Sequence, residues 1–308
     1  MADDGSEASG GGEPHGSSLS EPRTGGFTPP ARPILDTFRA SDGYSFYYRR
    51  FAPPGTPRAR LVFLHGVRSH GGWYERSCQE FAAAGFEVFF LDRRGSGLNS
   101  ARRGDCPNFR RLIDDVAEFV LHLRRERAWL PVFVAGISWG GKLAVGLPAR
   151  KPGLVNGLIL LCPGLKPKVK PPLAQRLRIF LARRLRPTKL FPIPLNDAEL
   201  FTASPTGQRF IDRDPFGLRD ATARFLFNSF VFDQFLKRAA KKVRVPVLLM
   251  LAGRDRILDN AKTRKFVGRF DAVTTIVDYP DAEHTLEFEP PECPWVGDVV
   301  RWVQRRIS

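Results

Sequence analysis

In the run PVFVAGISWGGKLAVGL, the segment Gly136-Ile137-Ser138-Trp139-Gly140 sets a serine two residues from a glycine on either side. A serine hydroxyl is a weak nucleophile until a neighbouring base takes its proton. Here an apolar strand runs in and a helix-forming stretch runs out. Ser138 would then stand on a tight, strained turn, its hydroxyl exposed near the positive end of the helix. Small residues two before and two after relieve crowding at such a turn. The alternative is an ordinary strand–helix turn with no chemistry.

A base and a carboxylate are available downstream in a usable order. His284, in YPDAEHTLEFEP, is the only histidine after His122 and follows an apolar run. A neutral imidazole held by a carboxylate is the usual partner of a nucleophilic serine. Asp255 lies two residues beyond Gly253, at the carboxyl end of VPVLLMLAG. Asp259 is its rival, but Asp followed by Asn where a helix begins suits a cap. The expected set is therefore Ser138 as nucleophile, His284 as base and Asp255 as orienting acid. The fourth element is His65-Gly66 in LVFLHGVRSHGGWY. Backbone N–H groups of Val67 and Trp139 would point at a developing oxyanion, with His65 bonding inside the loop rather than acting as a base.

These residues need a scaffold that delivers them to one place. Apolar runs at LVFLHG, EVFFLD, PVFVAG, GLILLCPG, VPVLLMLAG and VTTIVDYP are continuous rather than alternating, as expected for parallel strands covered on both faces. Helical stretches at 73–84, 108–127, 139–150, 260–269 and 294–305 fall among them. The alternation implies an α/β fold, a mostly parallel doubly wound sheet. Ahead of it, ILDTFRASDGYSFYYRRFAP reads as a hairpin around Ser41-Asp42-Gly43. About eighty residues separate Cys162 from Val245, far more than a crossover needs. They should form an inserted helical cap, with helices over 171–186 and 215–240, above the carboxyl ends of the strands. The expected domains are a tail, 1–32; a core, 33–163 and 241–308; and a cap, 164–240.

Together HGVRSHGGWY, DRRGSGLNS, GISWGG, AGRDRILDN and DAEHTLEFE, in this order, resemble the α/β hydrolases. The likeness is to the serine aminopeptidase S33-type group that holds monoacylglycerol lipases and lysophospholipases. It covers about residues 34–307. The resemblance implies the α/β hydrolase fold and a serine carboxylic ester hydrolase. It also makes Asp255 the triad acid and implies no cofactor and no metal. Two departures stand out. The oxyanion loop reads His65-Gly66-Val67-Arg68-Ser69-His70 where relatives often have HGxGEH, and Ser96 replaces the histidine of RGHG. Asp92, Gly95 and Gly97 would still shape that second turn.

The cap bears on the substrate. Leu173, Leu177, Phe180, Leu181 and Leu185, with Leu190, Phe191 and Ile193, either wall an acyl pocket or pack the cap onto the sheet. A medium- or long-chain ester, such as a monoacylglycerol or lysophospholipid, is the expected substrate. A thioesterase, acyltransferase or peptidase on the same triad is the alternative, and a non-catalytic ligand-binding member of the fold is one of another class. Residues 165–195 carry nine of the Lys and Arg residues and no acid, against a net charge of +16 for the chain. Wound as a helix, Leu173, Leu177, Phe180 and Leu181 share a face with Leu185 at its edge, and Ile179 falls among the arginines. The stretch is either a solvated exterior or a contact with an anionic lipid surface.

Composition excludes several classes. The longest apolar run is too short for a bilayer span of roughly 20 residues. The N-terminal stretch, rich in Gly, Ser and Pro, lacks the basic start and apolar core of a secretory signal and reads as disordered. Cys78, Cys106, Cys162 and Cys293 are scattered, with neither zinc-ligand nor disulfide spacing, so reduced thiols are expected. Those features suggest a cytoplasmic protein, with peripheral membrane contact if the basic cap meets lipid. Charge alone is the only hint of nucleic acid, and none is expected as a partner.

Overall fold

Runs of Val, Leu, Ile and Phe without polar interruption have nowhere to go but the middle of a sheet. In the computed structural model, which describes residues 32–307, they form its central strands. β1 (Ile34–Arg39) and β2 (Ser45–Phe51) make the hairpin, turned at Gly43 with φ +82°. Then come β3 (Ala59–Leu64), α1 (Glu75–Ala83), β4 (Phe86–Leu91), α2 (Phe109–Glu126), β5 (Val132–Ile137), α3 (Gly140–Arg150) and β6 (Gly157–Leu161). Within the insertion lie α4 (Leu173–Leu185), β7 (Leu190–Pro192), α5 (Pro205–Arg213), β8 (Asp220–Thr222) and α6 (Ala223–Ala239). The chain closes with β9 (Val247–Ala252), α7 (Asn260–Val267), β10 (Thr274–Tyr279) and α8 (Trp295–Ile307). The expected tail, residues 1–32, lies outside the described residues except for its last.

The eight-stranded sheet has the order β1-β2-β4-β3-β5-β6-β9-β10; only the β1/β2 and β2/β4 pairs are antiparallel. One face is covered by α2, α3 and α7, through residues such as Phe109, Val116, Leu143 and Phe266. The other is covered by α1 and α8, through Phe81, Trp295, Val299 and Trp302. From β3 the chain steps out to β4 and then returns past β3 to β5. The carboxyl ends of β3 and β5 therefore flank the crevice where strand order reverses, the usual ligand site of open α/β sheets.

Several expectations need correction. β10 is an edge strand, and Val273 and Ile276 near it are exposed, so this run is not covered on both faces. The cap stretch expected as one helix over 215–240 starts as β8, which pairs with β7, and turns helical only at Ala223, where the Thr222 hydroxyl caps it. α5 was not anticipated. The largest change concerns α4, whose buried side chains are Ile179 and Ala182, packed with Phe191 and Ala223. Its leucines neither wall a pocket nor pack the cap: Leu173 is 78% exposed and Leu185 80%. The helix rests on α6 through Ile179 and Ala182, with Phe180 against the Phe227 ring, which turns the leucines outward.

Candidate active site

β5 delivers Ser138 in a backbone conformation that costs energy. Its φ is +49°, in the left-handed region that side chains with a Cβ avoid. The turn closes only because its neighbours lack side chains. A Cβ on Gly136 would meet the Ala144 Cβ and the Gly141 Cα at 2.7 Å, and one on Gly140 would collide with the Leu64 carbonyl. The bonds that fix the turn also orient the next peptide. Ser138 O accepts from Gly141 N (2.9 Å) and Gly164 N (2.5 Å). In a trans peptide the N–H points opposite to its carbonyl, so the Trp139 amide faces away from those donors, toward the cavity that Ser138 and Trp139 both line.

The loops after β9 and β10 bring two more residues to that turn. His284 Nε2 lies 2.9 Å from Ser138 Oγ, and His284 Nδ1 lies 2.7 Å from Asp255 Oδ2. The other oxygen, Asp255 Oδ1, accepts from the amides of Ile257 and Leu258, both at 2.8 Å. Burial pushes the Asp255 carboxyl up, but His284 and these two amides outweigh it and hold it below the usual value. Asp255 therefore stays ionised, and its charge fixes the proton of a neutral imidazole on Nδ1. That leaves Nε2 as a lone pair toward the serine. Asp259 is elsewhere: it caps α7 by accepting from Lys262 N at 2.9 Å. Of the two rival acids, only Asp255 meets His284.

The loop after β3 supplies the facing wall. His65 is buried and neutral, because burial and the nearby Arg93 push its imidazole well below its ordinary value. Its Nδ1–H donates to Gly66 O (2.7 Å), and Nε2 accepts from Arg93 N (3.0 Å). It bonds within its own loop and to the loop after β4, and does not touch Ser138. Arg93 Nη2 donates to Val67 O (2.6 Å) and reaches Gly66 O at 3.4 Å. With Gly66 O turned toward His65 and Arg93, the Val67 N–H must point the other way, and Val67 lines the cavity beside Ser138. Asp92 fixes the far end of the loop by accepting from Gly71 N at 2.7 Å.

Two residues of this wall escaped the sequence. Arg93 is fully buried, stacked over Trp139 and Phe225 at 5.0 and 5.3 Å, and holds carbonyls rather than a carboxylate. Burial lowers its guanidinium to about 10, so it remains a cation at neutral pH. Asp214, just past α5 in the insertion, accepts from Trp73 Nε1 (2.7 Å) and meets His70 Nε2 at 3.2 Å. Arg68 adds a bond to Leu195 O at 2.8 Å. The loop carrying Val67 is thus tied to the cap at three side chains. Nothing in local sequence signals either contact: the partners are over a hundred residues apart.

The cavity opens from Ser138 into the cap and holds about 920 Å³, with an apolar wall from Leu165, Ile179, Ile193, Phe225, Leu226 and Leu258. That is ample for one acyl chain. Cys162, Asp255 and His284 offer atoms within 4.8 Å of one another, the one such cluster among the described residues. Asp255 and His284 are already bonded together, and burial keeps the Cys162 thiol protonated by raising it well above its ordinary value. A protonated thiol is a poor metal ligand.

A strand–serine–helix turn at the switch point of this sheet, with the histidine and acid on later strand ends, defines the α/β hydrolase fold. The chain belongs to the Hydrolase_4 family, serine aminopeptidase S33, whose model matches residues 55–291. It is 27% identical to the monoglyceride lipase of Homo sapiens over 279 residues, 87% of this chain and 89% of the relative. To the monoacylglycerol lipase of Mycolicibacterium smegmatis it is 26% identical, covering 87% and 95%. Among solved structures it resembles a soluble variant of monoglyceride lipase from Saccharomyces cerevisiae in complex with a substrate analogue. The TM-score is 0.78 at 20% identity, covering 90% of this chain and 97% of that one.

Proposed function

We propose that this chain is a serine hydrolase of carboxylic esters with a medium or long acyl chain, of the kind carried by monoacylglycerols. The observation that carries the reading is the continuous chain Ser138 Oγ–His284–Asp255, at 2.9 and 2.7 Å, opening on a cavity with apolar residues enough for an acyl chain. Its relatives named as monoglyceride lipases support the substrate class.

In this mechanism Ser138 Oγ attacks the ester carbonyl as His284 Nε2 takes its proton. Asp255 stabilises the imidazolium without becoming protonated. The amides of Val67 and Trp139 hold the oxyanion; one such donor is worth about 2.7–4 kcal/mol in the transition state. The alcohol departs with the proton from His284, and water then releases the acid by the reverse roles. Hydrolysis of a panel of p-nitrophenyl esters and monoacylglycerols beside Ser138→Ala tests this reading. Rates that rise with chain length and vanish in the variant support it.

The outward face of α4 fits contact with a lipid surface. Leu173, Leu177, Leu181 and Leu185 are exposed together, and Arg178, Arg184 and Arg186 on the same helix or at its end are exposed beside them. Apolar side chains ringed by cations suit the boundary of an anionic bilayer. No described helix is long and apolar enough to cross a membrane. In vesicle sedimentation, equal binding to anionic and neutral lipid would remove the charged part of this reading.

A further inference from the structure

The cavity above Ser138 has a mixed lining. Among its apolar residues stand basic ones: Lys166, Lys168, Lys170, Arg176 and Lys237 line it, and none forms an ion pair with a carboxylate among the described residues. Two further lysines there are neutralised, Lys142 by Asp233 and Lys262 by Asp259, each at 2.7 Å. The lining therefore holds seven cations and two acids. The chain as a whole has 48 Lys and Arg to 32 acids. The excess is local and goes beyond the chain's general basicity.

These cations are held close to the chemistry. The segment 166–170 pairs with the loop of the triad acid: Lys168 N donates to Ile257 O (2.8 Å) and Asp259 N to Lys166 O (2.9 Å). Lys168 Nζ itself donates to the backbone carbonyl of Asp255 at 2.7 Å. Lys166 lies over the Phe266 ring at 4.5 Å. Burial, then the repulsion of Lys237, Arg269 and Lys170, holds its ammonium below the ordinary value although Asp233 draws it up. Like charges gathered beside a low-dielectric wall focus a positive potential that an anion would relieve. A ligand matching this lining carries both an apolar chain and an anionic group, with an ester that reaches Ser138.

Resting on the ester-hydrolase reading above, we propose that these basic residues bind the head group of an anionic single-chain lipid. The preferred substrates are then monoacyl esters whose alcohol carries a phosphate. The chemistry balances as for any ester: the acyl carbon passes from the glycerol phosphate oxygen to Ser138 Oγ and then to water. Glycerol phosphate leaves with the proton from His284. A neutral monoacylglycerol meets the apolar residues and leaves the lysines unpaired.

The test compares decanoylglycerol phosphate with decanoylglycerol, both kept below micelle formation so that no lipid surface contributes. The expected result is a kcat/KM higher by about tenfold for the phosphate ester, falling toward parity in about 0.5 M salt. In Lys166→Gln/Lys170→Gln/Lys237→Gln the ratio should drop by about tenfold, the loss expected for three partly exposed charge contacts. Lys168, Lys142 and Lys262 are left alone because they hold Asp255, Asp233 and Asp259. Inhibition of wild-type p-nitrophenyl ester hydrolysis supplies a readout free of any folding defect. Decyl phosphate should inhibit well, and decanol and inorganic phosphate poorly.

A ratio at or below one in the wild type, or a ratio unchanged in the triple variant, overturns the proposal. So does inorganic phosphate competing as well as decyl phosphate, which would mark a site for the free anion. Absence of Ser138-dependent hydrolysis of any ester, the soluble p-nitrophenyl substrate included, overturns the underlying reading instead.

Discussion

Asp255→Asn separates the two carboxylates of the AGRDRILDN loop and has a magnitude that follows from the bonds each makes. Asparagine keeps the shape of the side chain but has one acceptor oxygen where aspartate has two. Asp255 uses one oxygen for the Ile257 and Leu258 amides and the other for His284 Nδ1. With the amide oxygen toward the two backbone donors, its NH2 faces His284. The imidazole must then present a lone pair at Nδ1 and carry its proton on Nε2, toward Ser138 Oγ at 2.9 Å. A hydroxyl facing a donor has no base. The flipped amide would restore the tautomer but leave two buried N–H groups unpaired, at about 1–3 kcal/mol each. The first orientation wins. The expected loss in kcat/KM is about 10⁴-fold, or roughly 5.5 kcal/mol. Since the backbone bonds survive, thermal unfolding followed by circular dichroism should move little. Asp259→Asn is the control: asparagine caps α7 about as well as aspartate, loses only the ion pair to Lys262, and leaves the histidine in its working tautomer. Asp255→Asn retaining a rate within tenfold of wild type, or Asp259→Asn losing the activity, would refute this reasoning.

Four further outcomes are expected. Arg93→Gln, which removes the cation behind the Gly66 and Val67 carbonyls, should lower kcat by about ten- to a hundredfold with little change in KM, measured by steady-state kinetics. Asp214→Ala cuts the bonds from the cap to His70 and Trp73; it should reduce kcat and stability together, read by ester turnover and thermal melting. Gly140→Ala drives a methyl group into the Leu64 carbonyl and should abolish soluble, active protein; normal expression and turnover would contradict the packing of the turn. Glu287 lies just past His284, and burial, against the opposing Ser77 bonds and Arg76, raises its carboxyl to about 7 from 4.5. The unfolded chain releases that proton first. Stability is therefore lost as pH rises from about 4.5 to 7, and Glu287→Gln should exceed the wild type by up to about 3 kcal/mol above pH 7, with no gain below pH 4.5. Parallel denaturation curves across that window would contradict it.

Most of the core was legible because burial on both faces leaves a plain mark: β5, β6 and β9 are unbroken apolar runs, and β3 and β4 are interrupted only by the buried pair Arg60–Glu87. Ser138, Asp255 and His284, named from their places at strand ends, are the residues the fold brings within hydrogen-bonding reach. Each type is rare enough at such a position to stand out. Arg93 is not, since one arginine beside another in DRRGSG looks like any basic turn. Its contacts exist only once β4 lies beside β3. Asp214 is invisible for the same reason, its partners lying on the loop before α1. A helical wheel shows which residues of α4 share a face, but not which way that face turns. Ile179 and Ala182 went inward against Phe191 and Ala223 and left the leucines outside. β7 and β8, three residues each, are too short to carry a pattern.

The central claim is that Ser138 is the nucleophile that His284 and Asp255 activate. Reaction of the folded chain with an active-site-directed fluorophosphonate, located by peptide mass spectrometry, tests it most directly. The account predicts one adduct per chain, on Ser138, absent from Ser138→Ala and greatly slowed in His284→Ala. Labelling at another residue, or full ester hydrolysis by Ser138→Ala, would contradict it.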